Sequence, residues 1–93
     1  MMMALIQEKN MEQLPKEWKA IAMCESTMNP QAVSPSGKYM GLFQFSQESW
    51  TFVGMPGTPL DATVNEQFAA ARVLKAIQGW KAWPVCSKKA GLI

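Results

Sequence analysis

The sequence of 93 residues contains no histidine. This absence excludes a Ser-His-Asp triad, a Cys-His dyad and every zinc site with a histidine ligand. The only cysteines, Cys24 and Cys86, are too far apart for a Cys-x-x-Cys pair, so we expect neither thiol redox chemistry nor a metal site. Carboxylates, hydroxyls and amides remain as catalytic groups, and no cofactor is expected.

Long apolar runs and clustered charges are also missing. No run approaches the ~20 apolar residues of a membrane-spanning helix, so membrane insertion is not expected. The apolar residues 1–6 lack the cationic flank and cleavage site of a signal peptide, which predicts a removed leader or another route out of the cell. The net charge is only +2, and the basic residues are scattered apart from Lys88 and Lys89. This distribution argues against a nucleic-acid partner.

The length and the 48% hydrophobic content predict one small globular domain. We expect a lead-in over residues 1–14 and a domain over residues 15–93. The patterns described below predict a mainly α, α+β domain of about four helices with a short β or loop segment.

The first clear helix carries the most unusual acid. Pro15 suits its first turn, and Trp18, Ile21, Ala22 and Glu25 follow at helical spacing on one face. Glu25 therefore ends the helix on its apolar side. Burial there would raise the pKa of its carboxyl and suit it to protonate a leaving group. The alternative is a glutamate that bends out to water, since acids are seldom buried.

A turn-rich region leads to the next helix. Residues 29–41 are rich in Asn, Pro, Ser and Gly and predict a loop, while residues 39–45 indicate a short strand pair or an irregular loop. Ser46 is predicted to cap a helix, with Phe45 and Trp50 as a hydrophobic staple across the cap.

The strongest helix is predicted over residues 64–78. Thr63 and Glu66 match a capping box at its start, and Gly79 suits its end. The tail over residues 80–86 should lie over the core rather than extend a helix. The predicted buried stripe of this helix consists of Ala70, Val73, Leu74 and Ile77.

The cysteines and aromatics each admit two interpretations. Cys24 and Cys86 are either buried thiols or a disulfide that closes a long loop and stabilises by roughly 4 kcal/mol; the even number favours the disulfide and an oxidising compartment. Four tryptophans are core residues or, with Tyr39, platforms for sugar rings. Gln44, Gln78 and serines would suit sugar hydroxyl and amide groups.

Several strings together resemble a known family. Residues 18–26, WKAIAMCES, resemble the W-x-x-I-A-x-C-E-S opening of resuscitation-promoting-factor domains, and residues 78–86, QGWKAWPVC, resemble their Q-G-W-x-A-W-P-x-C close. Residues 44–50 and 63–67 resemble the Q-F-S-x-x-x-W and A-T-x-x-E-Q segments between them. The resemblance covers residues 18–92.

One stretch departs from that family towards a relative. Residues 25–34 and 41–44 resemble the E-S-x-x-N-P-x-A-x-S and G-L-x-Q motifs of soluble lytic transglycosylases. Thr27 and Met28 stand where resuscitation factors have a glycine pair, and Phe43 is added near the Leu-Gln motif. Both families share the lysozyme-like fold, so that fold is what the resemblance implies.

The resemblance also implies the chemistry. Glu25 would be the acid and then the base in cleavage of peptidoglycan between N-acetylmuramic acid and N-acetylglucosamine. Asp61 and Glu48 are the acids that could assist it, but neither stands at a motif position, which favours a scheme without a second carboxylate. Cys24 and Cys86 would form the family's disulfide. The predicted substrate-binding residues are Ser26, Tyr39, Gln44, Gln78 and Trp80.

The remaining expectations concern setting and alternatives. The expected partners are peptidoglycan glycan strands, and the protein is expected to be a monomer. Its expected location is extracellular, at a cell wall or in a periplasm, and a phage is one origin that the sequence allows. The altered residues 27–28 and 39–43 motivate a second hypothesis, a non-catalytic peptidoglycan-binding module. A third is a small disulfide-stapled secreted effector without a wall target.

Overall fold

The structure, a computed structural model, describes residues 14–93. Over this range the chain forms four α-helices and one antiparallel strand pair, as the sequence predicted for a lysozyme-like α+β domain. Of the predicted lead-in, only Leu14 lies within the described range, where it is buried in the core. The elements are α1 (Lys16–Ser26), β1 (Tyr39–Met40), β2 (Phe45–Ser46), α2 (Gln47–Phe52), α3 (Val64–Gln78) and α4 (Pro84–Lys89), with single 3-10 turns at Pro59–Asp61 and Trp80–Ala82.

Helix α1 buries the face that the sequence predicted. Trp18, Ile21 and Ala22 are all in the core. Pro15 stands just before the first helical residue rather than inside the first turn, because its ψ of 152° is extended. The helix ends where Thr27 takes a left-handed conformation and its N–H donates to the carbonyl of Met23 at 3.0 Å. This end fixes the position of the last turn.

The aromatic segment after the loop is a strand pair. Tyr39 pairs with Ser46 and Met40 with Phe45, which settles the choice that the sequence left open. The connecting turn, residues 41–44, places Leu42 and Phe43 in the core. The strand pair is thus anchored from its turn.

Helix α2 begins with the predicted cap and staple. The Ser46 hydroxyl accepts a hydrogen bond from the N–H of Ser49 at 3.1 Å. The rings of Phe45 and Trp50 meet edge to face with centroids 5.2 Å apart. Both contacts confirm the predicted start of the helix.

Helix α3 spans the predicted range and has the predicted capping box. The N–H of Thr63 donates to the Glu66 carboxylate at 2.8 Å, and the N–H of Glu66 donates to the Thr63 hydroxyl at 3.1 Å. Its end at Gly79, with φ of 77°, is also as predicted.

The predicted buried stripe of α3 was half wrong. Ala70 and Leu74 are buried, but Val73 and Ile77 are 43% and 56% exposed. Gln67 is a buried residue of α3 that the apolar pattern did not predict. Its burial is tolerated because its Oε1 accepts one hydrogen bond and its Nε2 donates two. A satisfied amide can take a core position that the apolar pattern assigns elsewhere.

The tail covers the core as predicted, through buried Trp83 and Cys86. It also forms a helix that the sequence reading missed. Pro84 stands at the first position of α4, where its missing N–H removes no helical hydrogen bond.

Trp18 lies at the centre of an aromatic core. The ring centroids of its four aromatic neighbours lie 4.7 to 5.6 Å away, mostly edge to face. These neighbours come from the strand-pair turn, α3 and the tail, so one side chain joins distant segments. They are Phe43, Phe68, Trp80 and Trp83. Within residues 14–93, no helix is long and apolar enough to cross a membrane.

Candidate active site

An open cleft of about 400 Å³ lies between three parts of the fold. The last turn of α1 forms one part, the strand pair with its turn forms the second, and the tail with α4 forms the third. The lining residues are Cys24, Glu25, Tyr39, Gln44, Ala82, Trp83, Pro84, Val85, Cys86 and Lys89. Three predicted site residues, Glu25, Tyr39 and Gln44, therefore meet in one cleft although they are distant in sequence.

Glu25 is half-buried in the last turn of α1. Burial raises the pKa of its carboxyl above the ordinary value, and desolvation is the cause. Because the raised pKa keeps the carboxyl protonated to higher pH, the group can give a proton to a bound substrate. It was the carboxyl that the sequence marked as unusual.

Hydrogen bonds of the Ser26 side chain fix the end of α1. The Ser26 hydroxyl donates to the carbonyl of Leu42 at 2.7 Å and accepts from the N–H of Asn29 at 3.1 Å. Ser26 is only 8% exposed and does not line the cleft. We therefore leave it out of the proposed substrate-binding set, because its hydroxyl is already engaged within the protein.

The conformation after Ser26 bears on the shape of the cleft. Thr27 and Met28 have φ values of 54° and 63°, in the region that glycine adopts most easily. These are the two positions where resuscitation factors have a glycine pair. The chain thus keeps a backbone typical of glycine there without the glycines.

Gln44 is half-buried and also has a positive φ, 52°. Its Nε2 donates to the carbonyls of Gly41 at 3.0 Å and Ala32 at 3.2 Å. Both bonds orient the amide, so Oε1 is the atom left to accept a hydrogen bond from a ligand. Tyr39 lies on the neighbouring strand, 42% exposed, with Lys38 Nζ 5.5 Å from its ring centroid.

Two other predicted substrate-binding residues lie outside this cleft. Gln78 is exposed and borders a shallow depression with Glu48 and Phe52. The ring of Trp80 packs against Trp18, with centroids 4.7 Å apart. The structure does not bring Gln78 or Trp80 to the cleft lining, and we leave both out of the proposed site.

The Cys24–Cys86 disulfide is present, with 5.7 Å between the Cα atoms. It joins the last turn of α1 to α4, and both cysteines line the cleft. It therefore holds two walls of the cleft together beside Glu25.

Cleft residues that the sequence reading missed come from the tail and α4. Lys89 follows Cys86 by three residues and Val85 by four, so it lies on the helix face near both. A helix that begins at Pro84 would have placed Lys89 at the cleft, but the sequence pattern predicted no helix over this tail.

The other acids considered as a second carboxylate lie elsewhere. Asp61 borders a separate depression beside Trp50, and its Oδ2 accepts from the N–H of Thr58 at 3.0 Å. Glu48 borders the shallow depression of Gln78. Glu25 is the one carboxylate among the residues that line the cleft within the described range.

The architecture and the half-buried glutamate at a helix end define a lysozyme-like domain. A transglycosylase-like domain family model matches residues 13–86, and the chain belongs to this family.

Comparison with curated proteins agrees. The chain is 43% identical over 75 residues to resuscitation-promoting factor Rpf of Micrococcus luteus, covering 81% of this chain and 33% of that protein. It is also 43% identical over 75 residues to resuscitation-promoting factor RpfC of Mycobacterium tuberculosis, covering 81% and 53%. For RpfB of Mycolicibacterium smegmatis the identity is 41% over 78 residues, covering 80% and 21%. The chain thus matches between a fifth and about half of the length of these relatives.

Proposed function

We propose that this domain cleaves the β-1,4 bond between N-acetylmuramic acid and N-acetylglucosamine in peptidoglycan, as a lytic transglycosylase or muramidase. The observation that carries the proposal is Glu25, a carboxyl of raised pKa in an open cleft with Tyr39 and Gln44. Membership of the transglycosylase-like family supports the same reaction class.

In the first step the Glu25 carboxyl donates its proton to the glycosidic oxygen. The bond between that oxygen and C1 of the muramyl sugar breaks, and its electron pair leaves with the oxygen. The muramyl C1 becomes electron-deficient, and Glu25 becomes a carboxylate.

In the second step the Glu25 carboxylate acts as a base. In a lytic transglycosylase it takes the proton of the muramyl C6 hydroxyl, whose oxygen bonds to C1 and leaves a 1,6-anhydro end. In a muramidase it takes a proton from water, whose oxygen bonds to C1 instead. Either route restores the protonated Glu25.

The lining of the cleft favours a scheme with one protein carboxylate. Two-carboxylate glycosidases keep both groups beside the scissile bond, about 5 to 10 Å apart. Asp61 and Glu48 border other depressions, which supports Glu25 acting alone. The acetamido group of the substrate would then assist at C1.

Other cleft residues suit a glycan strand. The exposed ring of Tyr39 offers an apolar face to the C–H side of a sugar, and Gln44 Oε1 offers an acceptor to a hydroxyl or amide N–H. We propose these two as the substrate-binding residues.

The Glu25→Gln variant tests the reaction. We expect release of soluble muropeptides from purified peptidoglycan to fall at least about 100-fold, because general acid catalysis contributes ~10²–10⁴. The melting temperature should be no lower than that of the unaltered protein, so that the loss of activity is not a loss of folding. Glu17→Gln, an exposed glutamate of the same helix, is the matched control and should keep full activity.

The products identify the reaction type. Mass spectrometry of the released muropeptides separates 1,6-anhydro ends, which are lighter by one water, from reducing ends. Full activity in Glu25→Gln would contradict the proposal.

The second candidate is a peptidoglycan-binding module without catalysis. Its motivation is the departure from the resuscitation-factor motifs at residues 27–28 and 39–43. Retention on insoluble peptidoglycan without release of fragments would favour it. The half-buried Glu25 carboxyl, whose pKa burial raises, favours catalysis instead, because binding alone needs no such acid.

The disulfide supports a site of action outside the cytoplasm, because disulfides persist in oxidising compartments. We infer a cell-wall or periplasmic location and a monomeric enzyme. The three relatives named above are bacterial proteins, and they lend no support to a phage origin.

A further inference from the structure

We propose that Lys89 forms an anion subsite of the cleft, which binds a carboxylate of the substrate beside the bond that is cleaved. This inference rests on the proposed function, since it names what the same cleft recognises. The ligand class is a glycan carboxylate, either the free lactyl group of a muramyl residue or a carboxyl of its attached peptide.

The position of Lys89 is the first support. It stands in the last turn of α4 and lines the cleft together with Glu25. The neighbouring Lys88 is equally exposed and in the same turn, but it does not line the cleft. A cation in the last turn stabilises a helix end, and either lysine could serve this purpose. This role does not explain why Lys89, rather than Lys88, lines the cleft.

The charge balance of the cleft is the second support. Glu25 and Lys89 are the only charged side chains among the lining residues within the described range. Burial raises the pKa of Glu25, whereas pairing with a cation would lower it. An ion pair with Lys89 therefore does not set this pKa, and the cleft holds a cation that can face a ligand carboxylate.

The third support is the chemistry of the two halves of a glycan strand. N-acetylglucosamine is neutral, whereas muramic acid carries a lactyl group that ends in a carboxylate or continues into a peptide with its own carboxylates. A cation in the cleft distinguishes the muramyl sugar from the neutral one. Lys89 would thereby favour peptidoglycan over a neutral polymer of N-acetylglucosamine.

The test measures binding in the Glu25→Gln background, where no turnover is expected. The probes are a peptide-free tetrasaccharide of alternating N-acetylglucosamine and N-acetylmuramic acid, the same tetrasaccharide with its peptides, and a tetramer of N-acetylglucosamine. Titration calorimetry compares the Glu25→Gln protein with its Lys89→Gln and Lys88→Gln derivatives, which carry equal net charge.

We expect Lys89→Gln to weaken binding of at least one muramyl probe by about fivefold, the scale of a solvent-exposed ion pair. This loss should shrink in about 0.5 M salt, where the screening length falls to roughly 4 Å. Binding of the neutral tetramer should be unchanged, and Lys88→Gln should bind all probes as the parent does. A loss on the peptide-free probe assigns the lactyl carboxylate, and a loss on the peptide-bearing probe alone assigns the peptide.

Two results would overturn the subsite. One is an equal loss for muramyl and neutral probes, and the other is an equal loss in Lys88→Gln and Lys89→Gln. Unchanged muramyl binding in Lys89→Gln would do the same while leaving the proposed function in place. If the parent binds none of the probes, the subsite and the proposed function both fail.

Discussion

The backbone N–H of Leu42 donates a hydrogen bond of 2.7 Å to Oε1 of Gln67. The same side chain donates through Nε2 to the carbonyls of Pro30 at 3.1 Å and Ala62 at 3.2 Å. The carbonyl of Leu42 in turn accepts from the hydroxyl of Ser26, next to Glu25. One buried amide thus connects α3, the loop, the strand-pair turn and the end of α1.

Replacing this amide should destabilise the fold. In Gln67→Leu the N–H of Leu42 and the two carbonyls lose a partner, and each unsatisfied buried group costs about 1–3 kcal/mol. We expect the free energy of unfolding, measured by denaturant titration, to fall by at least about 2 kcal/mol. Gln78→Leu, at the exposed end of the same helix, should change it by less than about 0.5 kcal/mol. Equal effects of the two substitutions would contradict the role of Gln67.

A substitution at Thr27, the left-handed residue after α1, should instead increase the free energy of unfolding. Thr27 is β-branched and has φ of 54°, a conformation that costs L-residues roughly 1–2 kcal/mol. Thr27→Gly should therefore raise the free energy of unfolding by up to about 1 kcal/mol. Thr51→Gly, within α2, should lower it by about 0.3–0.5 kcal/mol, because glycine is a still weaker helix former than threonine. If both variants are destabilised alike in denaturant titrations, the backbone cost at Thr27 is refuted.

Removal of the disulfide should affect stability and activity together. The bond joins residues 62 positions apart, and the chain-entropy model gives roughly 4 kcal/mol for a loop of this length. We expect the free energy of unfolding, measured by denaturant titration, to be lower by about this amount in the double variant Cys24→Ala with Cys86→Ala. It should also lose activity in conditions where it is still folded, because α4 is no longer fixed to α1.

Chemical reduction of the disulfide in the unaltered protein is the control for the double cysteine variant. A thiol reductant should lower its stability towards that of the double variant and leave the double variant unchanged. A double variant as stable and active as the oxidised protein would show that packing alone holds α4 in place.

The raised pKa of Glu25 predicts a specific pH dependence of stability. The folded protein holds this proton more tightly than the unfolded chain does, so the folded state is favoured at low pH. That advantage is lost as pH rises from the unfolded pKa through the folded one. Relative to the unaltered protein, Glu25→Gln should gain stability over this window and keep a constant advantage above it. Thermal melts of both proteins across the window measure the difference; a constant difference at every pH would contradict a raised pKa.

The sequence predicted features that depend on neighbouring residues. The capping box of Thr63 and Glu66, the Ser46 cap and the buried face of Trp18 all follow from short spacings within one element. The unusual position of Glu25 followed from the same helical periodicity. Its role is still a prediction, which the Glu25→Gln experiment addresses.

Contacts between different helices, strands and loops could not be predicted from local sequence patterns. Gln67 is buried because Leu42, 25 residues earlier in the chain, offers it an N–H, and no local rule shows this. Gly41 illustrates the same limit: a Cβ there would lie 2.6 Å from Gln67 Oε1, so the close approach of two segments requires a glycine. Val73 and Ile77 were assigned to the buried face from the helical periodicity of α3 alone, and both are exposed.

By itself, the sequence determined the starts of α2 and α3, the end of α3, the catalytic candidate and, through its motifs, the family resemblance, because these depend on local spacing and residue chemistry. Only the tertiary structure decided which side chains share the cleft. It brought Tyr39 and Gln44 to Glu25, placed Gln78 and Trp80 elsewhere, and added Lys89. The physical reason is that the cleft forms where α1, the strand pair and α4 pack together, and that packing depends on buried contacts between residues distant in the chain.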